Sequence, residues 1–195
     1  MRERASVTTR IGVYPGSFNP PTRAHLEIAV AALNAHRLDR VDLAVSTVAL
    51  GKGTVARPTF DERLDVIRAS VLDFVGIEVV VTSAQLIADI AAHYDVVVMG
   101  ADKWAQVNDP SWYEDEAERD TAIARLPALA LAPRPPNEIP DVHRLPVADD
   151  LVEISSTAAR EGCLDYMTPA AQAFNARTHA WHRPKQGQTP PASRA

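Results

Sequence analysis

The stretch of residues 12–25 constrains this chain most, because an apolar segment there passes through a turn rich in glycine and proline into a helical pattern. Residues 11–14 have the continuous apolar character of a buried strand, which the pair Pro20-Pro21 cannot extend. Thr22 occupies a helix N-cap position, ahead of apolar residues at helical spacing, Leu26, Val30 and Leu33. The sequence therefore predicts a strand, a turn and a helix that begins at about Arg23.

This strand-turn-helix junction predicts a phosphate-binding site. The first turn of a helix has backbone N–H groups without intrahelical partners and carries partial positive charge, so it stabilises an anion. Gly16 lets the backbone approach such a ligand, and the imidazole of His25 can reach an oxygen held by the amides. The alternative interpretation is a structural corner with an incidental histidine.

The same stretch resembles the nucleotide-binding loop of the adenylyl- and cytidylyltransferase superfamily, with the signature Gly-x-Phe-Asp/Asn-Pro-x-His/Thr-x-Gly-His. The matching residues are Gly16, Phe18, Asn19, Pro20, Thr22 and His25. Asn19 stands where Asp is commoner, and Ala24 stands where the last glycine is expected. The resemblance implies that His25 contacts the α-phosphate and that Thr22 helps to position the phosphates. It also implies that ATP binds to the loop through Gly16, Ser17, Phe18, Asn19 and His25.

Length and composition favour one domain. A chain of 195 residues with 46% hydrophobic residues can bury a substantial core. We expect a single nucleotidyltransferase domain over residues 1–182 and a disordered tail over residues 183–195, which are rich in Pro, Gln, Ser and Arg.

Charge and cysteine usage limit the expected partners and location. A formal charge of −5 without a long basic run gives no electrostatic footprint for duplex nucleic acid, so no nucleic acid partner is expected. No apolar stretch approaches the roughly 18 residues that span a bilayer, so no membrane partner is expected. The single cysteine, Cys163, excludes an intramolecular disulfide and favours a reducing, cytoplasmic location.

Apolar runs alternate with helical patterns along the rest of the chain. Further strands are predicted at residues 41–45, 77–81, 95–99 and 128–132. Helices are predicted after the capping box at residues 59–62, from Ser83 through His93, from Ser111 to about Arg125, after the Ser/Thr cluster at residues 155–157, and from Thr168.

These elements predict an α/β fold, a Rossmann-like doubly wound parallel sheet of about five strands with a helical C-terminal part. Continuous β-branched runs imply strands covered on both faces, and alternation with helices implies right-handed parallel crossovers. Ligands of such sheets bind beyond the carboxyl ends of the strands, where the turn after Met99 joins the opening loop.

A second motif, residues 154–157 followed by Arg160, resembles the superfamily signature Ile-Ser-Ser-Thr-x-x-Arg. Hydroxyls and amides at a helix start can hold phosphate oxygens, and a guanidinium one turn later neutralises charge in a forked geometry. The resemblance implies that Arg160 is catalytic, with Thr22 and His25. It also implies that the β- and γ-phosphates of ATP bind Ser155, Ser156, Thr157 and Arg160. Alternatively, the Ser/Thr cluster only caps a helix.

A third group of residues resembles the nicotinate- and nicotinamide-mononucleotide adenylyltransferases. It comprises Gly100-x-Asp102 after a strand, Trp112 downstream and Arg134-Pro135 after the next strand. The resemblance implies that Gly100 and Asp102 approach the ATP ribose, and that Trp112 and Arg134 bind the acceptor, with Trp112 stacked on its pyridine ring. Lys52 is a candidate for the acceptor phosphate. The alternatives are a core aromatic for Trp112 and a solvated loop residue for Lys52.

Together the three motifs imply an adenylyltransferase of NAD biosynthesis. AMP passes from ATP to nicotinate or nicotinamide mononucleotide, and pyrophosphate leaves. The expected partners are ATP and a phosphorylated small-molecule acceptor. Mg²⁺ is expected with ATP, held mostly by phosphates and water, because no carboxylate cluster predicts a protein metal site.

Other interpretations stay open. Phosphopantetheine adenylyltransferases have an opening close to residues 14–25, but Gly-Ala-Asp follows the fourth strand here in place of their Arg-Gly-x-Arg. Against cytidylyl transfer, the form Arg-Thr-x-Gly-Ile-Ser-Thr-Thr is absent from this sequence. Against an NAD-binding Rossmann domain, Gly-x-Gly-x-x-Gly is absent after the first strand. A regulatory nucleotide-binding module without catalysis is an alternative of another class. The oligomeric state is also open, a homo-oligomer included.

Overall fold

Five parallel strands form a single sheet, in a computed structural model that describes residues 9–47 and 58–182. The strands are β1 (Ile11–Pro15), β2 (Arg40–Ser46), β3 (Ile77–Thr82), β4 (Val96–Gly100) and β5 (Ala128–Ala132). They lie in the order β3-β2-β1-β4-β5, with Val13 of β1 paired to Asp42 on one side and to Val97 on the other. Because the order reverses between β1 and β4, the turns after these two strands meet at the carboxyl edge.

Helices cover both faces of the sheet. They are α1 (Arg23–His36), α2 (Phe60–Val71), α3 (Ile87–Ile90), α4 (Ala101–Asn108), α5 (Glu116–Ala124), α6 (Ser156–Glu161) and α7 (Pro169–Thr178). On one face Leu43 belongs to a core cluster with Leu26 of α1 and Ile67 of α2. On the other face Val97 belongs to a second cluster with Val107 of α4. The predicted doubly wound α/β fold is confirmed.

The helix predicted from Ser83 through His93 is wrong in extent. Only Ile87–Ile90 is helical, and Leu86 occupies the N-cap position. The hydroxyl of Thr82 accepts the N–H of Ala84, and the hydroxyl of Ser46 donates to the carbonyl of Ala84. These contacts hold the residues after β3 in a non-helical connection, so the helix starts later.

The predicted start of the acidic helix at Ser111 is also wrong. The carboxylate of Asp109 accepts the N–H of Ser111 and opens a short 3₁₀ turn, Pro110–Trp112. Asp115 then caps α5 by accepting the N–H of Glu118. An additional helix, α4, follows β4 directly and was not predicted from the sequence.

The C-terminal helix α7 begins at the predicted cap. The Thr168 hydroxyl accepts the N–H of Ala171 and lies 2.6 Å from the hydroxyl of Ser70 in α2. Val66 of α2 packs in one apolar cluster with Trp181. Through these contacts the chain after α6 packs onto α2.

Within the described residues no helix is both long and apolar enough to cross a bilayer. The predictions for Lys52 and for the tail at residues 183–195 lie outside the described part of the chain.

Candidate functional site

A cavity of roughly 380 Å³ lies at the carboxyl edge of the sheet, where the turns after β1, β4 and β5 meet the starts of α1, α4 and α6. Ten of the residues predicted from the motifs line it: Gly16, Ser17, Phe18, His25, Gly100, Asp102, Arg134, Ser155, Ser156 and Thr157. The structure therefore brings residues from all three sequence motifs to one place.

The turn after β1 is shaped by the packing of Phe18 onto Gly16. A Cβ atom on Gly16 would lie 2.7 Å from Cζ of Phe18, so a larger residue would displace the ring. Phe18 has a φ of 43°, a left-handed conformation that non-glycine residues seldom adopt. Its ring is buried edge-on between Tyr14 and His25, with ring centroids 5.5 and 5.0 Å away. These contacts hold the loop backbone under the cavity.

His25 is fixed in one tautomer by the residue that precedes the helix. Its Nδ1 accepts the backbone N–H of Thr22 at 3.0 Å, and the Thr22 hydroxyl lies 2.9 Å from the same nitrogen. An Nδ1 that accepts from an amide carries no proton, so the ring proton of the neutral imidazole is on Nε2. Thr22 itself is fully buried and does not line the cavity, so it acts on the site through His25.

The imidazole of His25 is neutral near pH 7. Burial, and second the positive charge of Arg134, lower the pKa of His25 from 6.5 to about 4. A neutral ring with its proton on Nε2 is a hydrogen-bond donor that carries no net charge. The cavity thus presents a positioned donor at its α1 wall.

The start of α6 is braced against the loop between β1 and α1. Arg160 donates through Nη1 to the carbonyl of Asn19 and through Nη2 to the Thr157 hydroxyl at 3.0 Å. The Ser156 hydroxyl donates to the carbonyl of Pro20 at 2.7 Å, and Ser155 caps the helix. Arg160 itself does not line the cavity; its guanidinium connects the loop to α6.

Arg134 contacts both Asp102, in the first turn of α4, and the backbone just before α6. Its Nε lies 3.6 Å from Oδ1 of Asp102, and its Nη2 donates to the carbonyl of Ile154 at 3.0 Å. A Cβ on Gly100 would lie 2.5 Å from the same Asp102 oxygen, so glycine leaves room for this carboxylate. Asp102 is thereby presented beside a guanidinium at the end of β4.

Two further predicted binding residues, Trp112 and Asn19, do not line the cavity. Trp112 is 51% exposed in the 3₁₀ turn after α4 and does not line the cavity, and this exposure argues against a core-anchor role. Asn19 does not line the cavity either, and its side-chain oxygen accepts the indole N–H of Trp181. Lys52 is outside the described residues.

Several lining residues lie outside the three sequence motifs. Lys103 and Gln106 project into the cavity from α4, where Nζ of Lys103 donates to Oε1 of Gln106 at 2.7 Å. Residues three apart in a helix lie on the same face, so the spacing of Lys103 and Gln106 is the sequence signal that could have placed them together. Tyr14 also lines the cavity, and burial raises the pKa of its phenol well above 10.

The described residues of the cavity lining do not form a ligand set for a protein-held metal. Asp102 supplies the only carboxylate among the described lining residues, and it faces Arg134. In the described ranges, no group of three or more His, Cys, Asp or Glu residues is arranged to hold a metal ion. The described lining, with its single carboxylate, fits a Mg²⁺ ion that is held by phosphate and water oxygens.

Comparison with solved structures supports the fold. Nicotinic acid mononucleotide adenylyltransferase from Plasmodium falciparum, complexed with NaAD, superimposes with a TM-score of 0.65 over 89% of this chain and 98% of that chain, at 14% identity. The same enzyme complexed with APC gives a TM-score of 0.61 with the same coverage and identity. At this identity the likeness concerns the fold.

Two kinds of curated relatives match the sequence. A probable nicotinate-nucleotide adenylyltransferase from Citrifermentans bemidjiense is 29% identical over 85% of this chain and 74% of the relative. Phosphopantetheine adenylyltransferases from Syntrophotalea carbinolica and Desulfosudis oleivorans are 40% and 36% identical over 37% and 36% of this chain. The matched part spans about two fifths of the length of these last two relatives, 41% and 39%.

A family model assigns the chain. The model described as cytidylyltransferase-like matches residues 13–162, which include all three motifs and every described wall of the cavity. The resemblance inferred from the motifs is confirmed at this level, and the chain belongs to the cytidylyltransferase-like family.

Proposed function

We propose that this protein transfers AMP from ATP to the phosphate of nicotinate mononucleotide, with release of pyrophosphate. The observation that carries the proposal is the fixed, uncharged imidazole of His25 at the cavity wall where α1 and α6 begin. Its donor proton on Nε2 suits an oxygen that gains negative charge during phosphoryl chemistry.

In the proposed reaction an oxygen of the acceptor phosphate attacks the α-phosphorus of ATP. A new P–O bond forms, and the bond between the α-phosphorus and the bridging oxygen to the β-phosphate breaks, so pyrophosphate leaves. His25 donates from Nε2 to a non-bridging α-phosphate oxygen and keeps its proton. Catalysis therefore depends on positioning and charge stabilisation, without a covalent enzyme intermediate.

The remaining groups bind and orient the nucleotide. The backbone amides of residues 17 and 18 and the start of α6 are the donors for phosphate oxygens, and Arg160 holds these two elements together. Asp102 can accept ribose hydroxyl protons from its position beside Arg134. Mg²⁺ that arrives with ATP would neutralise phosphate charge, and its ligands would be phosphate and water oxygens rather than the side chains of this cavity.

Two observations support nicotinate mononucleotide as the acceptor. The Gly-Ala-Asp sequence after β4 places Asp102 in the cavity, whereas the phosphopantetheine enzymes are expected to have Arg-Gly-x-Arg there. The nicotinate-type relative matches 85% of this chain, whereas a match over 37% cannot contain both the Gly16 loop and Arg160. Phosphopantetheine is the second candidate acceptor, because the shorter matches have the higher identity, 40% against 29%.

The test is a pyrophosphate-release assay with ATP, Mg²⁺ and one acceptor at a time, with the product identified by mass spectrometry. The acceptors are nicotinate mononucleotide, nicotinamide mononucleotide and 4′-phosphopantetheine. The proposal expects the highest kcat/KM with nicotinate mononucleotide. Release only with 4′-phosphopantetheine would reassign the acceptor. ATP binding without pyrophosphate release from any acceptor would support the non-catalytic regulatory module.

A further inference from the structure

Three consecutive carbonyls of the loop between β1 and α1 are hydrogen-bonded by the C-terminal part of the chain. Two consecutive prolines occupy this loop, and proline has no backbone N–H. Its three successive carbonyls, of Asn19, Pro20 and Pro21, accept hydrogen bonds from Arg160, the Ser156 hydroxyl and the Thr168 N–H respectively. Distant residues therefore set the position of this loop relative to α6.

The side chain of Asn19 is held in the same way. Its Oδ1 accepts the indole N–H of Trp181, a residue 162 positions further along the chain. Trp181 is 7% exposed and its ring packs on Phe174, with centroids 5.3 Å apart. A buried indole N–H without a partner is costly, so this contact fixes both side chains.

Trp181 is itself positioned by a buried amide. The chain leaves α7 through His179, which has a φ of 50°, and turns back toward the loop. Oδ1 of Asn175 accepts the backbone N–H groups of Trp181 and His182 at 2.9 and 3.1 Å. Asn175 is 5% exposed, so the turn is held by a buried side chain whose oxygen is satisfied by two backbone N–H groups.

The turn at Trp181 and His182 contacts both the β1–α1 loop and α6, two elements whose other residues line the cavity. Trp181 binds Asn19 of the β1–α1 loop, and Nδ1 of His182 donates to the carbonyl of Arg160 at 3.0 Å. Arg160 in turn donates to the carbonyl of Asn19. Asn19, Arg160 and the turn thus form a closed triangle of hydrogen bonds beside the cavity.

We propose that Trp181 is a positioning residue of the nucleotide site, which acts through Asn19 to hold the β1–α1 loop against α6. This inference rests on the proposed function, because it assigns the loop to ATP. Neither residue lines the cavity, so the effect of Trp181 on ATP is indirect.

The first test compares ATP affinity in two single variants and their combination. Trp181→Phe keeps an aromatic ring on Phe174 but lacks the indole donor, and Asn19→Ala lacks the acceptor. Each single variant should raise the Kd for ATP, measured by calorimetry, roughly three- to tenfold. The double variant should bind no more weakly than the weaker single variant, because both changes remove one contact. If the fold-increases in the Kd for ATP of the two single variants multiply in the double variant, the proposal is overturned.

A conservative variant and a matched control separate positioning from general loss of packing. Asn19→Asp keeps an oxygen acceptor for the indole and should bind ATP more tightly than Asn19→Ala. Trp104→Phe removes another indole from the opposite core cluster and should leave the Kd for ATP unchanged. Equal losses in Trp104→Phe and Trp181→Phe would overturn the proposal.

A spectroscopic measurement follows the contact itself. The chain has three tryptophans, so the Trp181 indole proton is one of three such NMR signals. It should exchange slowly with solvent in the wild type and faster in Asn19→Ala, with the Trp104 signal unchanged. An unchanged Trp181 exchange rate would overturn the proposal.

Failure of this inference and failure of the proposed function give different results. Absence of pyrophosphate release with every acceptor would remove the proposed function, while the ATP Kd values would still decide the role of Trp181. Normal adenylyl transfer and wild-type ATP affinity in Trp181→Phe would overturn only the inference. A wild-type protein that binds no ATP would overturn both.

Discussion

Nδ1 of His25 accepts a hydrogen bond from the backbone N–H of Thr22, at a distance of 3.0 Å. His25 thereby takes the role that a Glu or Gln side chain has in a capping box. One contact therefore has two effects. It satisfies an N–H at the start of α1, and it directs the only proton of the neutral ring to Nε2. The three-residue spacing of the motif is thus explained by helix geometry as well as by chemistry.

Removal of the imidazole should lower turnover without unfolding the protein. His25→Ala deletes the Nε2 donor, and we expect kcat for pyrophosphate release to fall on the order of 10²-fold or more. His25→Gln can still accept the Thr22 N–H, so it should be more stable than His25→Ala while its turnover stays low. Thermal unfolding and steady-state kinetics on both variants check this.

The control for this prediction is His36→Ala, at the opposite end of the same helix. It should keep wild-type turnover. A near-normal rate in His25→Ala would remove His25 from the mechanism.

The lowered pKa of His25 predicts a loss of stability in mild acid. Between pH 6.5 and about 4 the unfolded chain binds a proton at this histidine, while the folded protein keeps it neutral. Because the unfolded state then binds more protons, the free energy of unfolding falls as pH falls through this window, by at most about 1.4 kcal/mol per pH unit from this group. Above pH 6.5 this histidine is neutral in both the folded and the unfolded protein, so it causes no loss of stability there.

Urea unfolding of the wild type and of His25→Gln at about pH 7 and about pH 5 measures this contribution. Carboxylates also titrate in acid, so the relevant quantity is the difference between the two proteins. The wild type should lose more stability than His25→Gln over this interval. Parallel losses would show that His25 has an ordinary pKa in the folded protein.

The sheet and most of the cavity were predictable because their signals are local. The apolar run at residues 11–14, the prolines after it and the cap at Thr22 all act within a few residues. The five strands follow from such runs, and a parallel sheet brings their carboxyl ends to one edge. Gly16, directly after β1, and Gly100, the last residue of β4, therefore line the cavity at this edge.

The contacts that brace the loop could not be read from the sequence. Arg160 and Asn19 are 141 residues apart, and Trp181 and Asn19 are 162 apart, so tertiary packing decides these pairs. The predicted start of the helix that follows β4 was wrong for a different reason. Asp109, Ser111 and Asp115 are all good caps within a few residues, and sequence alone did not decide between them.

Arg134 should control the protonation of His25. Burial is the larger cause of the low pKa of His25, and the charge of Arg134 is the second. Arg134→Gln removes this charge, so the pKa of His25 should rise toward its ordinary value while staying below it. Titration of the His25 ring signals by NMR in both proteins measures the change. A pKa that does not move would show that Arg134 is too well screened to act on the ring.

The same substitution should weaken ATP binding, because the guanidinium also holds Asp102 and the carbonyl of Ile154. A suitable control is Arg125→Gln, whose guanidinium pairs with Asp89 rather than with a cavity residue. This control should change neither the His25 pKa nor the Kd for ATP.

Trp112 provides the sharpest test of the acceptor. The side chain is half-exposed, so Trp112→Ala should leave the melting temperature close to that of the wild type. If the indole stacks on a pyridine ring, its loss should raise KM for nicotinate mononucleotide by up to about tenfold and leave KM for ATP unchanged. Trp112→Phe retains a ring face and should recover part of the affinity. Equal kinetics in Trp112→Ala and the wild type would mean that the acceptor ring does not stack on Trp112, and a large drop in melting temperature would mean that Trp112 is a packing residue after all.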